Sequence, residues 1–379
     1  MKQDIEVSVV LPCLNEEETL GICIKKIKEV FIKENIEGEI IVVDNGSTDR
    51  SREIALSQGV RVLQEPHKGY GAAYLRGLRE VKGVFIVMAD SDNTYDFYEM
   101  AVFIKKLESG FDFVIGSRFK GKIEDKAMPW MNRYIGNPIL SGLCRLFFRT
   151  GISDVHCGMR AFTSGAYKKM QLRTLGMEFA TEMVVAVLQS NLKVCEIPIS
   201  YHPRAGESKL HPLFDAWRHI RFMLLYCPLW LYFIPGLTSF ILGMFFLLAL
   251  LKGPFLFLGR QWDLHLMVFS SVICILSYQV LNIGIYAHTF AIKQGFLKYD
   301  RITRFFQRNF SLEKGIFLGI GVFLAGFIIL LFIFLDWFSK GFGALYRIRE
   351  SILAMTLLVV GLQTIFSSFF ISLLFLDRD

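Results

Sequence analysis

The chain has 379 residues, 53% of them hydrophobic and 20% charged, with a formal net charge of +7. That length suits two domains, and so small a charge without a basic-aromatic strip excludes a nucleic-acid binder. Of 42 Lys and Arg and 35 Asp and Glu, only 19 lie beyond Arg221, 12 of them basic; an ordinary globular part is followed by a far more apolar one.

Short apolar runs at Ile5–Leu11, Glu39–Asp44, Val60–Gln64, Val84–Asp90 and Asp112–Gly116 read as strands. They alternate with helical patterns at Glu16–Glu34, Thr48–Ser57, Tyr70–Lys82 and Phe97–Ser109. The alternation predicts an α/β domain with a mostly parallel sheet covered on both faces. Ligands of such sheets lie beyond the carboxyl ends of the strands, so Asn15, Glu16, Asp44, His67, Lys68, Asp90 and Asp92 are expected along one rim. Residues 118–149 then carry seven basic and two acidic side chains around Pro129-Trp130. A loop at Thr150–Cys157, a strand at Gly158–Phe162, a helix near Glu178–Gln189 and a strand at Val194–Ser200 complete the domain. Residues 211–225 have the pattern of an amphipathic helix lying on a membrane surface.

Four stretches without Lys, Arg, Asp or Glu follow, 222–251, 264–292, 315–335 and 351–376. Each reaches the roughly 20 residues that cross about 30 Å of hydrocarbon. The boundaries read from this pattern are a globular domain at 1–210, a juxtamembrane helix at 211–228 and a membrane domain at 229–379. Its crossings are expected near 229–251, 265–290, 315–336 and 351–376, with Pro235 a candidate kink in the first. The loop from Lys293 to Lys314 holds six basic residues against Asp300 and Glu313, which places it in the cytoplasm together with the N-terminal domain. The expected localisation is a multi-pass membrane protein. No apolar signal segment precedes Ile5. The seven cysteines are scattered without a C-x-x-C pair, which argues against a zinc ribbon or a disulfide framework.

The sharpest motif is Asp90-Ser91-Asp92 at the end of an apolar strand. Two carboxylates one residue apart can share a hard divalent cation, Mg²⁺ or Mn²⁺, that neutralises a diphosphate. Asp44-Asn45-Gly46-Ser47-Thr48-Asp49 reads both as a turn with a helix cap and as a place where Asp44 accepts hydrogen bonds from a base or ribose. Lys68-Gly69-Tyr70-Gly71 opens a helix with glycines suited to close approach of a ligand. Neither a G-x-G-x-x-G there nor a Walker A motif anywhere is found, against a dinucleotide oxidoreductase or a P-loop ATPase. Glu178 and Glu182, four apart on one helical face, read either as a solvated face or as a sugar-hydroxyl contact.

Ser8–Glu16, Asp44–Asp49 and the D-x-D together resemble family 2 glycosyltransferases of the Rossmann-like GT-A fold. Gly116-Ser117-Arg118-Phe119, Ser153-Asp154, Gly158-Met159-Arg160, Glu182-Met183, Ile197–Ser200 and Gly206–Leu210 are similar to dolichyl-phosphate mannose synthases and their bacterial polyprenyl-phosphate relatives. The resemblance covers about 1–215 and implies roles by position. Pro12, Asn15, Glu16 and Asp44, with Lys68 and Asp90, would hold the nucleotide; Asp90 and Asp92 would bind the metal. Arg118, Arg133, Arg204, Ser208 and Lys209 would handle donor and lipid phosphates, and Asp154 would sit at the sugar or acceptor. Asp92, Asp154 and Arg118 are thus the expected catalytic group. The mannose synthases carry Gln at the position of Thr94.

The expected reaction is an inverting, metal-dependent transfer of a hexose from a nucleotide-diphosphate sugar to polyprenyl (undecaprenyl or dolichyl) phosphate on the cytoplasmic leaflet. UDP-glucose is the first expectation and GDP-mannose the second. A lipid phosphate is already ionised and needs cations more than a general base, and the basic 118–149 and 204–209 segments offer them. A processive polysaccharide synthase is the nearest rival, but its Q-x-x-R-W string is missing. A sensor of nucleotide sugars coupled to a transporter is the other; only Gln279, Asn282 and Gln363 are polar enough in the crossings to mark a path. Partners are the donor, the lipid acceptor and the bilayer, with a homo-oligomer among the states left open.

Overall fold

Seven strands form one sheet in the computed structural model, which describes residues 5–205, 212–257, 259–293 and 311–375. The chain divides into two compact units between Met223 and Leu224. In the first, β1 (Val7–Cys13), α1 (Leu20–Glu34), β2 (Gly38–Asp44), α2 (Ser51–Ser57), β3 (Arg61–Gln64), α3 (Tyr70–Leu78) and β4 (Phe85–Met88) alternate as the sequence predicts. Then come α4 (Met100–Glu108), β5 (Phe113–Ile123), α5 (Asn137–Phe148), β6 (Arg160–Thr163), α6 (Ser164–Met170), α7 (Phe179–Gln189), β7 (Val194–Tyr201) and α8 (Pro212–Leu225).

The strand order is β3-β2-β1-β4-β6-β5-β7. Pairs β1–β2, β1–β4, β2–β3 and β5–β7 are parallel, whereas β6 runs antiparallel to both β4 and β5. β1 and β4 are buried along nearly their whole length (Val7, Val9, Val10, Leu11; Ile86, Val87, Met88), as strands covered on both faces must be. The sheet's carboxyl edge therefore ends abruptly in polar residues at Asn45, Asp90 and Asp92, where the core stops.

One reading needs correction. β5 does not stop at Gly116: after a register shift between Ser117 and Lys122 it pairs with β7 as far as Ile123. The basic 118–149 stretch is thus split between a strand extension and a helix, and Arg118 belongs to the sheet. The 211–225 segment forms the expected helix, and one of its faces is covered: Ala216, Ile220 and Met223 of α8 pack on the core of the first unit. Phe214 and Trp217 remain outward, 70% and 58% exposed.

The second unit contains four helices long and apolar enough to cross a membrane, Trp230–Lys252, Leu264–Lys293, Leu312–Ser339 and Ile348–Leu374. The first begins with a wide turn at Leu229–Phe233, and Pro235 falls in the opening turn of α9 (Ile234–Ala249), where its missing N–H costs little. A hairpin, β8 (Phe255–Phe257) and β9 (Arg260–Trp262), leads to α10 (Leu264–Lys293). The last two helices, α11 (Leu312–Ser339) and α12 (Ile348–Phe375), meet at Gly319 and Gly361. A Cβ on Gly361 would lie 2.5 Å from Phe323 N, so only glycine permits this crossing. Hydroxyl pairs Ser271–Thr356 and Tyr278–Thr364, each at 2.6 Å, tie α10 to α12. The basic loop between Lys293 and Lys314 falls mostly outside the described residues.

Candidate active site

The carboxyl ends of β1, β2 and β4 open into a cavity of about 680 Å³ within the first unit. Pro12, Glu16, Lys68, Asp90, Asp92, Arg118 and Arg204 of the expected site line it. β4 delivers Asp90 and Asp92 directly, because the chain leaves the buried run Ile86–Ala89 at this edge. Ser91 between them turns inward and donates to Pro12 O at 2.6 Å, which leaves the flanking carboxylates facing the cavity.

Burial, and then the neighbouring Asp92 carboxylate, push the Asp90 carboxyl up to about 7. The Arg204 guanidinium offsets part of this charge: Nη2 donates to Glu16 Oε1 at 2.7 Å and Nη1 lies 3.4 Å from Asp92 Oδ2. This end of the cavity is thus short of positive charge and built from hard oxygen donors, and it fits Mg²⁺ or Mn²⁺. Such ions are commonly held by one or two carboxylates with phosphate oxygens and water completing the shell. Thr94 is buried and does not line the cavity; its hydroxyl donates to Asp92 Oδ1 at 2.6 Å and orients that carboxylate. Among the described residues no group of three His, Cys, Asp or Glu could hold a metal by itself.

Arg118 and Asp154 meet each other. Arg118 Nε donates to Asp154 Oδ2 at 2.7 Å, Nη2 to Oδ1 at 2.8 Å, and the Arg118 main-chain N–H to Oδ2 at 3.0 Å. Asp154 is completely buried and absent from the cavity wall. The expectation that it touches sugar or acceptor therefore gives way to a positioning role: both its oxygens are taken. Arg118 lines the cavity with Nη1 uncommitted among the described residues, and stacks over the Tyr201 ring at 5.3 Å.

Other expected residues lie elsewhere. Asn15 adopts a left-handed backbone (φ 51°), and its Oδ1 accepts from Thr48 N at 2.7 Å, joining the turns after β1 and β2. Asp44 Oδ1 accepts from Ser47 N at 2.9 Å, so the turn reading describes it. Its neighbour Asn45 is the one on the cavity wall, where Nδ2 donates to Glu65 O and His67 O and Oδ1 accepts from Gly69 N. Arg133 is off the wall, its guanidinium over the Tyr134 ring at 5.4 Å. Glu182 is a loop anchor: its two oxygens accept from Arg173 N and Thr174 N, both at 2.9 Å. Glu178 stands at the first position before α7 without a side-chain capping bond and does not line the cavity. Ser208 and Lys209 lie outside the described residues.

The glycines after Lys68 serve the chain itself. A Cβ on Gly69 would fall 2.2 Å from Leu175 O and one on Gly71 2.2 Å from Thr174 O. Gly71 N and Ala72 N donate to Gly176 O and Leu175 O at 3.2 and 3.0 Å, so the Lys68 loop is clasped to the 173–176 loop that Glu182 holds. Burial pushes the Cys13 and Cys157 thiols up to about 11 and about 12, which keeps both protonated and rules them out as nucleophiles.

The sequence reading gave no separate role to Asn45, Tyr95, His156 or His219. Asn45 stands in the Asp44–Asp49 turn motif without being told apart from its neighbours, and the other three acquire their places through contacts distant in the chain.

Comparison with known proteins identifies the family. Residues 8–171 match the model for glycosyl transferase family 2, and residues 285–375 match the family 2 glycosyltransferase C-terminal transmembrane region. The low-salt glycan biosynthesis hexosyltransferase Agl6 of Haloferax volcanii is 36% identical over 96% of this chain and 87% of that protein. A dolichyl-phosphate hexose transferase of the same organism is 30% identical over 55% of this chain and 87% of its own length. Glucosyl-3-phosphoglycerate synthase of Mycobacterium tuberculosis, solved with Mn²⁺ and UDP, is 21% identical with a TM-score of 0.47 over 59% of this chain and 80% of that one. The chain belongs to the family 2 glycosyltransferases. It is a membrane protein, with a GT-A domain followed by four membrane helices.

Proposed function

We propose that this glycosyltransferase moves a hexose from a nucleotide-diphosphate sugar to a polyprenyl phosphate at the cytoplasmic face of the membrane, with inversion at the anomeric carbon. UDP-glucose is the first candidate donor and GDP-mannose the second. The observation that carries the reading is one cavity wall on which Asp90 and Asp92 lie beside Arg118, Arg204 and Lys68. Such a wall suits two anions that must be brought together, a diphosphate and a lipid phosphate. The names of the two Haloferax proteins, a hexosyltransferase and a dolichyl-phosphate hexose transferase, support the hexose and the lipid acceptor. The basic excess between Lys293 and Lys314 supports the cytoplasmic side.

A divalent cation, when bound by Asp90 and Asp92, would supply charge neutralisation for the departing diphosphate. The chain's own residues do the rest. Pro12 and Asn45 shape the nucleoside end, and Glu16 with Lys68 flanks it. Arg118, held by Asp154, presents Nη1 to a phosphate oxygen without rotamer loss. Arg204 exchanges Glu16 and Asp92 for phosphate oxygens. An oxygen of the lipid phosphate then attacks the anomeric carbon as the bond to the nucleoside diphosphate breaks. No proton need be removed from the nucleophile, so what the step asks of the wall is its cations.

The test uses the purified full-length chain with undecaprenyl or dolichyl phosphate, Mg²⁺ or Mn²⁺ and a panel of UDP- and GDP-hexoses, with extraction of glycolipid as readout. Formation of a lipid-phosphate hexose that depends on Asp92 is expected. Absence of glycolipid with every donor, or an Asp92→Ala variant as active as the parent, would sink the reading.

A further inference from the structure

The loop after Asp154 brings a second polar cluster to the cavity, one that the transfer just described leaves unused. His156 and His219 both line the cavity, and their rings meet edge to face with centroids 4.4 Å apart. Thr181 of α7 lies between them, its Oγ1 at 3.3 Å from His156 Nε2 and 2.8 Å from His219 Nδ1. His156 Nδ1 is buried with no hydrogen-bond partner among the described residues.

This arrangement is held firmly. Arg160, fully buried, donates to Val155 O, Cys157 O and Ala180 O, each at 2.8 Å, which fixes both neighbours of His156 and the α7 turn beside Thr181. Two residues before His156 stands Asp154 with Arg118. Two residues after it, Gly158 N donates to Tyr95 Oη at 2.7 Å, and a Cβ on Gly158 would come within 2.8 Å of Asp90 Oδ2. His156 is therefore on the loop that connects the Arg118 pair to the diphosphate carboxylates, where the sugar of a bound donor would hang.

A count of protons defines what the cluster can bind. The Thr181 hydroxyl carries one proton and can donate to only one imidazole while accepting from the other. When it donates to His219 Nδ1, His156 donates from Nε2 and its Nδ1 is an acceptor; in the opposite arrangement Nδ1 is a donor. In either arrangement the outer nitrogens of the pair are one donor and one acceptor. Burial, each other's proximity and the Arg118 and Arg160 charges push His156 well below the ordinary histidine range; burial with Arg160 and Arg218 pushes His219 down to about 4. Both rings are neutral at physiological pH. A phosphate oxygen only accepts and favours a cationic partner, whereas a sugar hydroxyl both donates and accepts.

We infer that the His156–Thr181–His219 relay recognises hydroxyl groups of the transferred hexose and so sets which sugar the enzyme accepts. The inference rests on the hexosyl-transfer reading above and assigns His156 as the contact, with Thr181 and His219 as positioning residues.

The experiment measures binding of UDP, GDP, UDP-glucose, UDP-galactose, GDP-mannose and GDP-glucose to the full-length chain, together with turnover on polyprenyl phosphate. The variants are His156→Phe, Thr181→Val and Thr181→Ser, each checked for parental thermal unfolding. In His156→Phe and Thr181→Val, the preference between epimeric sugars on one nucleotide should shrink about tenfold, the size expected from one or two lost hydrogen bonds. The change should fall on KM for the sugar nucleotide, bare nucleotide affinity should stay within about twofold, and Thr181→Ser should restore the preference. An unchanged preference in folded variants overturns the inference, and so does a parallel fall in bare nucleotide affinity. If the parent transfers no hexose from any donor, the transfer reading fails separately. The relay is then decided by whether the affinity gained from the sugar is lost in the variants.

Discussion

The two ends of the cavity both pair an arginine with a carboxylate, yet by different means. At one end Arg118 makes three bonds to a single, fully buried Asp154. At the other, Arg204 divides itself between Glu16 and Asp92, with one bond of 2.7 Å and one looser contact of 3.4 Å. The first pair is closed at the acid: both Asp154 oxygens are satisfied and the carboxylate is fully buried, while Arg118 keeps one edge on the cavity. The second is open, on a cavity wall, and can trade partners. A closed pair fixes a framework and an open one handles charge that comes and goes, although the two look alike as an Arg and an Asp in a sequence.

Asp154→Ala should break the closed end most severely, because it strands a buried guanidinium. A loss of about 3–5 kcal/mol in stability is expected, read as a large drop in the thermal or denaturant midpoint. A small drop would mean that the pair is not sealed. Asp92→Ala strikes the open end and should leave unfolding close to that of the parent while transfer falls on the order of 10³-fold. If both fell together, the distinction between the ends would collapse.

Burial and the Arg160 and Arg218 charges disfavour a charged His219, and pH tests that directly. With the ring pushed down to about 4 in the folded chain, against about 6.5 for an ordinary histidine, the unfolded chain takes up a proton first as pH falls. Its stabilising contribution is therefore complete above pH 6.5 and is lost between 6.5 and 4, by about 3 kcal/mol. Thermal unfolding across that range should slope less steeply in His219→Asn than in the parent; equal slopes would show the ring to be solvated. The smallest effect belongs to Arg204→Gln, which should raise donor KM about tenfold and cost under about 1 kcal/mol of stability. A stability loss as large as that of Asp154→Ala would place Arg204 in the framework too.

Much of the frame was legible because its signals are local. The alternation of strands and helices, the D-x-D at a strand end and the four apolar stretches depend on neighbours along the chain. The partners of Arg118 and Glu182 were not, since nothing near Arg118 announces Asp154, 36 residues away. The histidine pair shows the same limit, for His156 and His219 share Thr181 only once α7 and α8 are folded against the sheet. The antiparallel insertion of β6 between β4 and β5 was hidden for a related reason, as strand direction is set by the crossover and leaves no mark in the residues. Asp44 and Asn45 illustrate the finest level. A single residue's shift in which side chain faces the cavity cannot be read from a turn motif in which both are plausible.

The clasp between the Lys68 loop and the 173–176 loop bears on how chains of this kind diverge. Backbone oxygens of one loop occupy the space that side chains at Gly69 and Gly71 would need, and Glu182 fixes the height of the other. Neither loop can drift alone without unseating its partner. Changes there should arrive in pairs some hundred residues apart, so that the nucleotide end is slow to vary.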